Sequence, residues 1–154
     1  MIVVSDTSPI NYLVLLGEIE LLPKLFNEVI IPRAVWDELR TEGTPEEVRN
    51  WIDSNPQWLK IQNAKIIDQT IALGAGEREA ISLAEELNAD LVLIDDRKAR
   101  KTAIQRGLKV SGTISILESA SKRGLVDLSE AFEKLEQTNF RIVPDLLREI
   151  LKRN

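Results

Sequence analysis

A chain of 154 residues, 44% hydrophobic and 29% charged with 7 Gly and 6 Pro, suits one ordinary globular domain spanning residues 1–154. It holds no His and no Cys, which excludes disulfides and any imidazole or thiolate chemistry, and its net charge of −5 is not that of a broadly basic nucleic-acid binder. No apolar run approaches the roughly 18 residues of a membrane span, and Met1-Ile2-Val3-Val4 lacks the basic flank and cleavage site of a signal peptide, so a cytoplasmic protein is expected.

Strand and helix signals alternate along the chain. The run Ile2 to Ser5 reads as a buried strand ending in Asp6. Ser8-Pro9 opens a helix over Ile10 to Leu16, with Ser8 the expected cap, and Gly17 stops it. Glu28 to Ile31 is a short strand, and Pro32 starts a helix carrying Val35, Trp36 and Leu39. Thr44-Pro45-Glu46-Glu47 has the spacing of a capping box, which predicts a helix to about Ser54. Trp58 to Ile61 reads as a short or edge strand.

Gly74-Ala75-Gly76 precedes a helix from Glu77 to Leu87 that Asn88 ends. Leu91 to Ile94 is the next strand, followed by a helix to Arg106 that Gly107 stops. Lys109-Val110 reads as the last central strand, and Thr113 as the cap of a helix to about Arg123. Ser129 to Gln137 and Pro144 to Lys152 are further helices, with apolar spacing suited to covering a sheet edge or a dimer partner. The expectation is an α/β fold with a mainly parallel central sheet and an α-helical C-terminal tail.

In such sheets ligands bind beyond the carboxyl ends of the strands, which is where Asp6 and the pair Asp95-Asp96 fall. Two adjacent carboxylates repel, and a cation relieves that repulsion; alternatively Asp96 caps the helix containing Ala99 and Ala103. Glu77 shares a helical stripe with Ala80, Ile81 and Ala84, whereas Glu79 shares its face with Ser82 and Glu86 and is expected to meet solvent. Glu38, at the margin of its helix's apolar stripe, reads in isolation as a surface glutamate. With no imidazole or thiolate available, an acidic site of this kind suits hard, oxygen-preferring ions such as Mg²⁺ or Mn²⁺. A basic strip of Arg97, Lys98, Arg100, Lys101, Arg106 and Lys109 follows directly and could hold a phosphodiester, or be a solvated helix face. The implied chemistry is metal-assisted phosphodiester hydrolysis.

The order of these features resembles the PIN-domain nucleases, and more closely a prokaryotic subfamily related to VapC-type toxins. The resemblance rests on Ser5-Asp6-Thr7-Ser8-Pro9, Gly74-x-Gly76-Glu77-x-Glu79-Ala80, Leu93-Ile94-Asp95-Asp96-x-x-x-Arg100 and Gly107-Leu108-x-Val110-x-Gly112-Thr113, and covers residues 1–125, leaving 126–154 as a C-terminal helical segment. It implies a three-layer α/β/α fold and metal-binding acids at Asp6, Glu38, Glu77 and Asp95 or Asp96. It places the hydroxyls of Ser8 and Thr113 near the metal or phosphate and Arg100 near the substrate, with Arg97 beside it from the basic strip. The activity implied is Mg²⁺- or Mn²⁺-dependent cleavage of single-stranded RNA by the toxin of a type II toxin–antitoxin pair, with a cognate antitoxin and a homodimeric state as the expected partnerships. Glu77 departs from the Asp commoner among VapC proteins. The rival reading is a PIN-like module that cleaves nothing and acts through protein partners. A receiver domain fits poorly because the acidic doublet comes late, and a nucleotide-binding fold fits poorly because Gly74-Ala75-Gly76 is a lone G-x-G.

Overall fold

Five strands and nine helices alternate over residues 1–154 of the computed structural model. In chain order they are β1 Val3–Ser5, α1 Thr7–Leu15, α2 Leu21–Phe26, β2 Val29–Ile31, α3 Arg33–Glu38, α4 Glu46–Asp53, β3 Leu59–Ile61, α5 Ala75–Leu87, β4 Leu91–Leu93, α6 Arg97–Gln105, β5 Val110–Ser111, α7 Thr113–Lys122, α8 Leu128–Glu136 and α9 Pro144–Lys152. All the strands are parallel, in the order β3-β2-β1-β4-β5. The chain builds outward from β1 in one direction through β2 and β3, then crosses to β1's other side with β4. Such a reversal opens a crevice beyond the carboxyl ends of the strands beside it.

The two-residue period of the strands divides the core into two clusters, one on each sheet face. Val3, Val29, Ile31 and Leu93 join a cluster that includes Leu13 of α1, Phe132 of α8 and Leu147 and Ile150 of α9. Val4, Val92 and Ile94 join the other, built with Ala80, Ile81, Leu83 and Ala84 of α5 and Ala99 and Ala103 of α6. The result is three layers, α/β/α. No helix is long and apolar enough to cross a membrane.

The glycine and asparagine stops fall where expected: Asn88 is left-handed (φ 50°) after α5, and Gly107 (φ +83°) follows α6. Other local expectations are corrected. α1 begins at Thr7 with Asp6 as its cap residue, so Pro9 occupies the third helical position, where its missing N–H costs nothing. The proposed box at Thr44 does not form; Pro45 precedes α4, and the Thr44 hydroxyl donates instead to the Glu38 carbonyl at 2.7 Å. Gly112, not Thr113, is the cap residue of α7, and β5 lies at the sheet edge instead of its centre. α2, with Pro23 inside it, is an element the sequence pattern does not announce.

Phe132 ties the C-terminal helices to the same cluster as the sheet and is 1% exposed. Phe132→Ala is expected to cost about 3–5 kcal/mol in urea unfolding while preserving one cooperative transition. A separate early transition for residues 126–154 would show instead that the tail is an independent unit.

Candidate active site

Asp6 closes β1, and its backbone N–H donates to the Leu93 carbonyl at 2.9 Å, stitching the ends of β1 and β4 together. Although Asp6 is the cap residue of α1, its side chain makes no capping bond, so the carboxylate is not consumed by the helix. It is only 5% exposed. Burial pushes its pKa up to about 7; the nearby Thr7 N–H opposes this in part, while Glu77, Glu38 and Asp95 reinforce it.

The doublet divides its labour. Asp96 caps α6, accepting the Ala99 N–H at 2.9 Å. Asp95 is held by three donors from distant segments: Ser8 Oγ at 2.6 Å, the Thr113 N–H at 2.7 Å and Thr113 Oγ1 at 2.7 Å. Glu77 sits in the first turn of α5, where its Oε1 accepts the Gly74 N–H at 3.3 Å. Its pKa is raised by burial first, then by Asp96 and Glu38. Glu38 ends α3, and its Oε2 accepts Thr7 Oγ1 at 2.5 Å.

These five carboxylates line one cleft of about 790 Å³ at the carboxyl end of the sheet. Gly76 lies against them, and a Cβ there would come within 2.6 Å of Glu38 Oε2 and 3.2 Å of Asp6 Oδ1. The missing side chain is what leaves room for Asp6 at the end of β1 and Glu38 on α3 to face the start of α5. As the side chains stand, no three of them close on one point. The donor chemistry nevertheless fits a hard divalent cation: every group is a carboxylate or hydroxyl oxygen, and burial and mutual repulsion raise the proton affinity of Asp6 and Glu77.

A family model described as DUF3368, PIN domain, matches residues 2–154. The chain belongs to the PIN-domain family. Members of this family are generally nucleases and typically use divalent metal ions. A PilT N-terminus domain protein from the hyperthermophilic archaeon Sulfolobus solfataricus P2 has a similar structure, with a TM-score of 0.56 and 22% identity over 78% of this chain and 93% of that one. At that identity the likeness is one of fold. No curated protein matches the chain.

For this PIN domain the structure brings Asp6, Glu38, Glu77, Asp95 and Asp96 to one cleft, with Ser8 and Arg97 also on its lining. Arg100 and Thr113 are not on that lining but lie against it, Thr113 on Asp95 itself. Thr113 is fully buried and spends its hydroxyl on Asp95, and Arg100 donates to the Ile94 carbonyl at 3.3 Å, so both support the β4–α6 turn from behind. Glu79 is not solvated as expected; it accepts the Ala34 N–H at 3.4 Å, and Ser82 is buried and accepts the Asp68 N–H at 3.0 Å. α3 covers Glu79, and the loop from 62 to 74 covers Ser82 and Glu86, which helical periodicity does not reveal.

Sequence reasoning missed Thr7, and it missed the cleft residues Asn11, Tyr12, Asn139, Phe140 and Arg141. Thr7 had a signal, since it follows a strand-end acid. The others meet only through packing: Tyr12 donates to Asn139 Oδ1 at 2.6 Å across 127 positions of sequence.

The pKa of Asp6 predicts a pH signature for metal-free protein. Its folded value of about 7 lies above the unfolded value of 3.8, so the folded state retains a proton that the unfolded state has lost. Stability from this group therefore falls as pH rises from about 4 to 7 and then levels. Asp6→Asn removes the penalty, so in EDTA its melting temperature relative to wild type should climb between pH 5 and pH 8. A difference independent of pH would show that Asp6 is not raised.

Proposed function

We propose that this PIN-domain protein is an endoribonuclease that hydrolyses phosphodiester bonds of single-stranded RNA with Mg²⁺ or Mn²⁺. In this reading it acts in the cytoplasm as the toxin of a type II toxin–antitoxin pair, related to the VapC type, with a cognate antitoxin and a second copy of itself as partners. The observation that carries the catalytic part is the convergence of Asp6, Glu38, Glu77, Asp95 and Asp96 on one cleft beyond the carboxyl ends of β1 and β4.

Asp6, Glu38, Glu77 and Asp95 or Asp96 would hold the cation, with Asp6 and Asp95 at the ends of adjacent strands and Glu38 and Glu77 facing them from α3 and α5. Bound there, a hard divalent ion lowers the pKa of a water and neutralises charge on the scissile phosphate. The chain's own groups supply positioning. Ser8 and Thr113 fix both oxygens of Asp95, Thr7 steadies Glu38, and the Gly74 N–H anchors Glu77. Arg97, exposed at the start of α6 on the cleft lining, provides positive charge for the RNA backbone.

One observation favours the silent binding module: no three acids meet at a single point as the side chains stand. Cleavage of a labelled single-stranded RNA in Mn²⁺ separates the two readings. Wild type should cleave, Glu77→Gln should lose activity on the order of 100-fold, and Glu79→Gln should stay within a few-fold because its carboxylate serves α3 outside the cleft. Gly76→Ala should still fold, since Glu38 Oε2 is the end of a flexible side chain and Ala favours a helix by up to about 1 kcal/mol, yet lose cleavage because its Cβ displaces Glu38. No metal-dependent cleavage by wild type would favour the silent module, and a larger loss from Glu79→Gln than from Glu77→Gln would reassign the glutamate.

A further inference from the structure

Part of the cleft carries no carboxylate at all. Tyr12 from α1 and residues Asn139, Phe140 and Arg141 from the α8–α9 connection form it. The segment is built, not draped. The Tyr12 hydroxyl donates to Asn139 Oδ1, and the Tyr12 and Phe140 rings meet edge to face with centroids 4.9 Å apart. Arg141 is exposed, lines the cleft and, like Arg97 on the same lining, forms no ion pair. Burial, and then Asp95, raise the Tyr12 phenol, and the Arg141 charge opposes them in part.

We infer that Tyr12, Asn139, Phe140 and Arg141 form a nucleotide-recognition wall, on which Arg141 takes a backbone phosphate and the aromatic pair takes the face of an unpaired base. This rests on the single-stranded RNA reading above and names the residues that would select such a substrate. Five carboxylates repel a polyanion, so a strand entering the cleft needs a cation beyond those that a metal site supplies. An unpaired guanidinium offers a two-pronged donor of the right shape for a phosphate. Base stacking on aromatic rings is open to single strands and closed to duplexes, whose bases already stack on each other. Asn139 spends its carbonyl on Tyr12 and keeps its amide N–H groups for a base edge. The wall thus explains how an acidic protein could hold RNA: a local cation and a stacking surface stand beside the acids.

The test is steady-state cleavage of a labelled single-stranded RNA in Mn²⁺ across a series of KCl concentrations, for wild type, Arg141→Ala, Phe140→Leu and the distant Arg123→Ala. Arg141→Ala should raise KM about tenfold with kcat little changed, and the slope of log KM against log salt should fall by about 1. Phe140→Leu keeps an apolar contact for Tyr12 but removes the flat face, so it should raise KM about tenfold without changing the salt slope. Arg123→Ala, outside the cleft, should match wild type. Thermal melts of each variant confirm folding, and Arg141, being exposed, leaves the core untouched. Wild-type KM and salt slope in Arg141→Ala, with cleavage intact, would overturn the wall and leave the nuclease reading standing. A wild-type protein that neither binds nor cleaves single-stranded RNA would remove both.

Discussion

Holding five carboxylates, Asp6 among them nearly buried, at the carboxyl edge of one parallel sheet is the constraint around which the rest of the molecule is arranged. Asp6 is nearly buried and pushed to a pKa of about 7, and Glu77 is raised by the same causes. Burying charge without a partner is among the costlier things a fold can do. Here the fold spends specific groups on holding the acids in place: two hydroxyls and a backbone N–H on Asp95, a hydroxyl on Glu38, a backbone N–H on Glu77. These donors come from three turns of the chain, at Thr7-Ser8, Gly74 and Thr113, so the cleft exists only when α1, α3, α5 and α7 are all docked on the sheet.

The scaffold shows how short elements achieve this. The strands have two or three residues each, and the two-residue period sends alternate side chains to two separate cores. The loop before α5 is tied down by two arginines. Arg78 donates to the carbonyls of Ile71 and Leu73 at 2.9 Å each, while Arg106 binds Asp68 and Glu85. These contacts fix the entry to α5, and with it Gly74, Gly76 and Glu77. The acidic cleft is therefore lined by side chains whose positions are set by backbone and hydroxyl donors on three separate turns.

Much of this was legible in the residues. β-branched runs ending in Asp mark buried parallel strands whose ends face the crevice, so Asp6 and the Asp95-Asp96 pair could be placed before any fold was known. The division of the pair could not, because it depends on Ser8 and Thr113, which lie 87 and 18 positions from Asp95. Glu38 looked like a surface residue because it is one; only Thr7 and the bare backbone of Gly76 bring it to the cleft. Motif order brings Arg100 and Thr113 to the site but does not reveal their partners, the Ile94 carbonyl for Arg100 and Asp95 for Thr113, which depend on how β4 and α7 pack. α2 was hidden by Pro23, and the 139–141 wall by the absence of any local pattern linking it to Tyr12.

The central claim is that these carboxylates form a divalent-cation site anchored on Asp6. Thermal unfolding of wild type and Asp6→Asn, with and without millimolar Mn²⁺, tests it without knowledge of any RNA target. A ligand bound only by the native state at one hundred times its dissociation constant stabilises it by about 2.7 kcal/mol, a readily measured shift. The account predicts a rise in the wild-type melting temperature that is lost in Asp6→Asn. No rise in wild type, or an equal rise in both proteins, would contradict it.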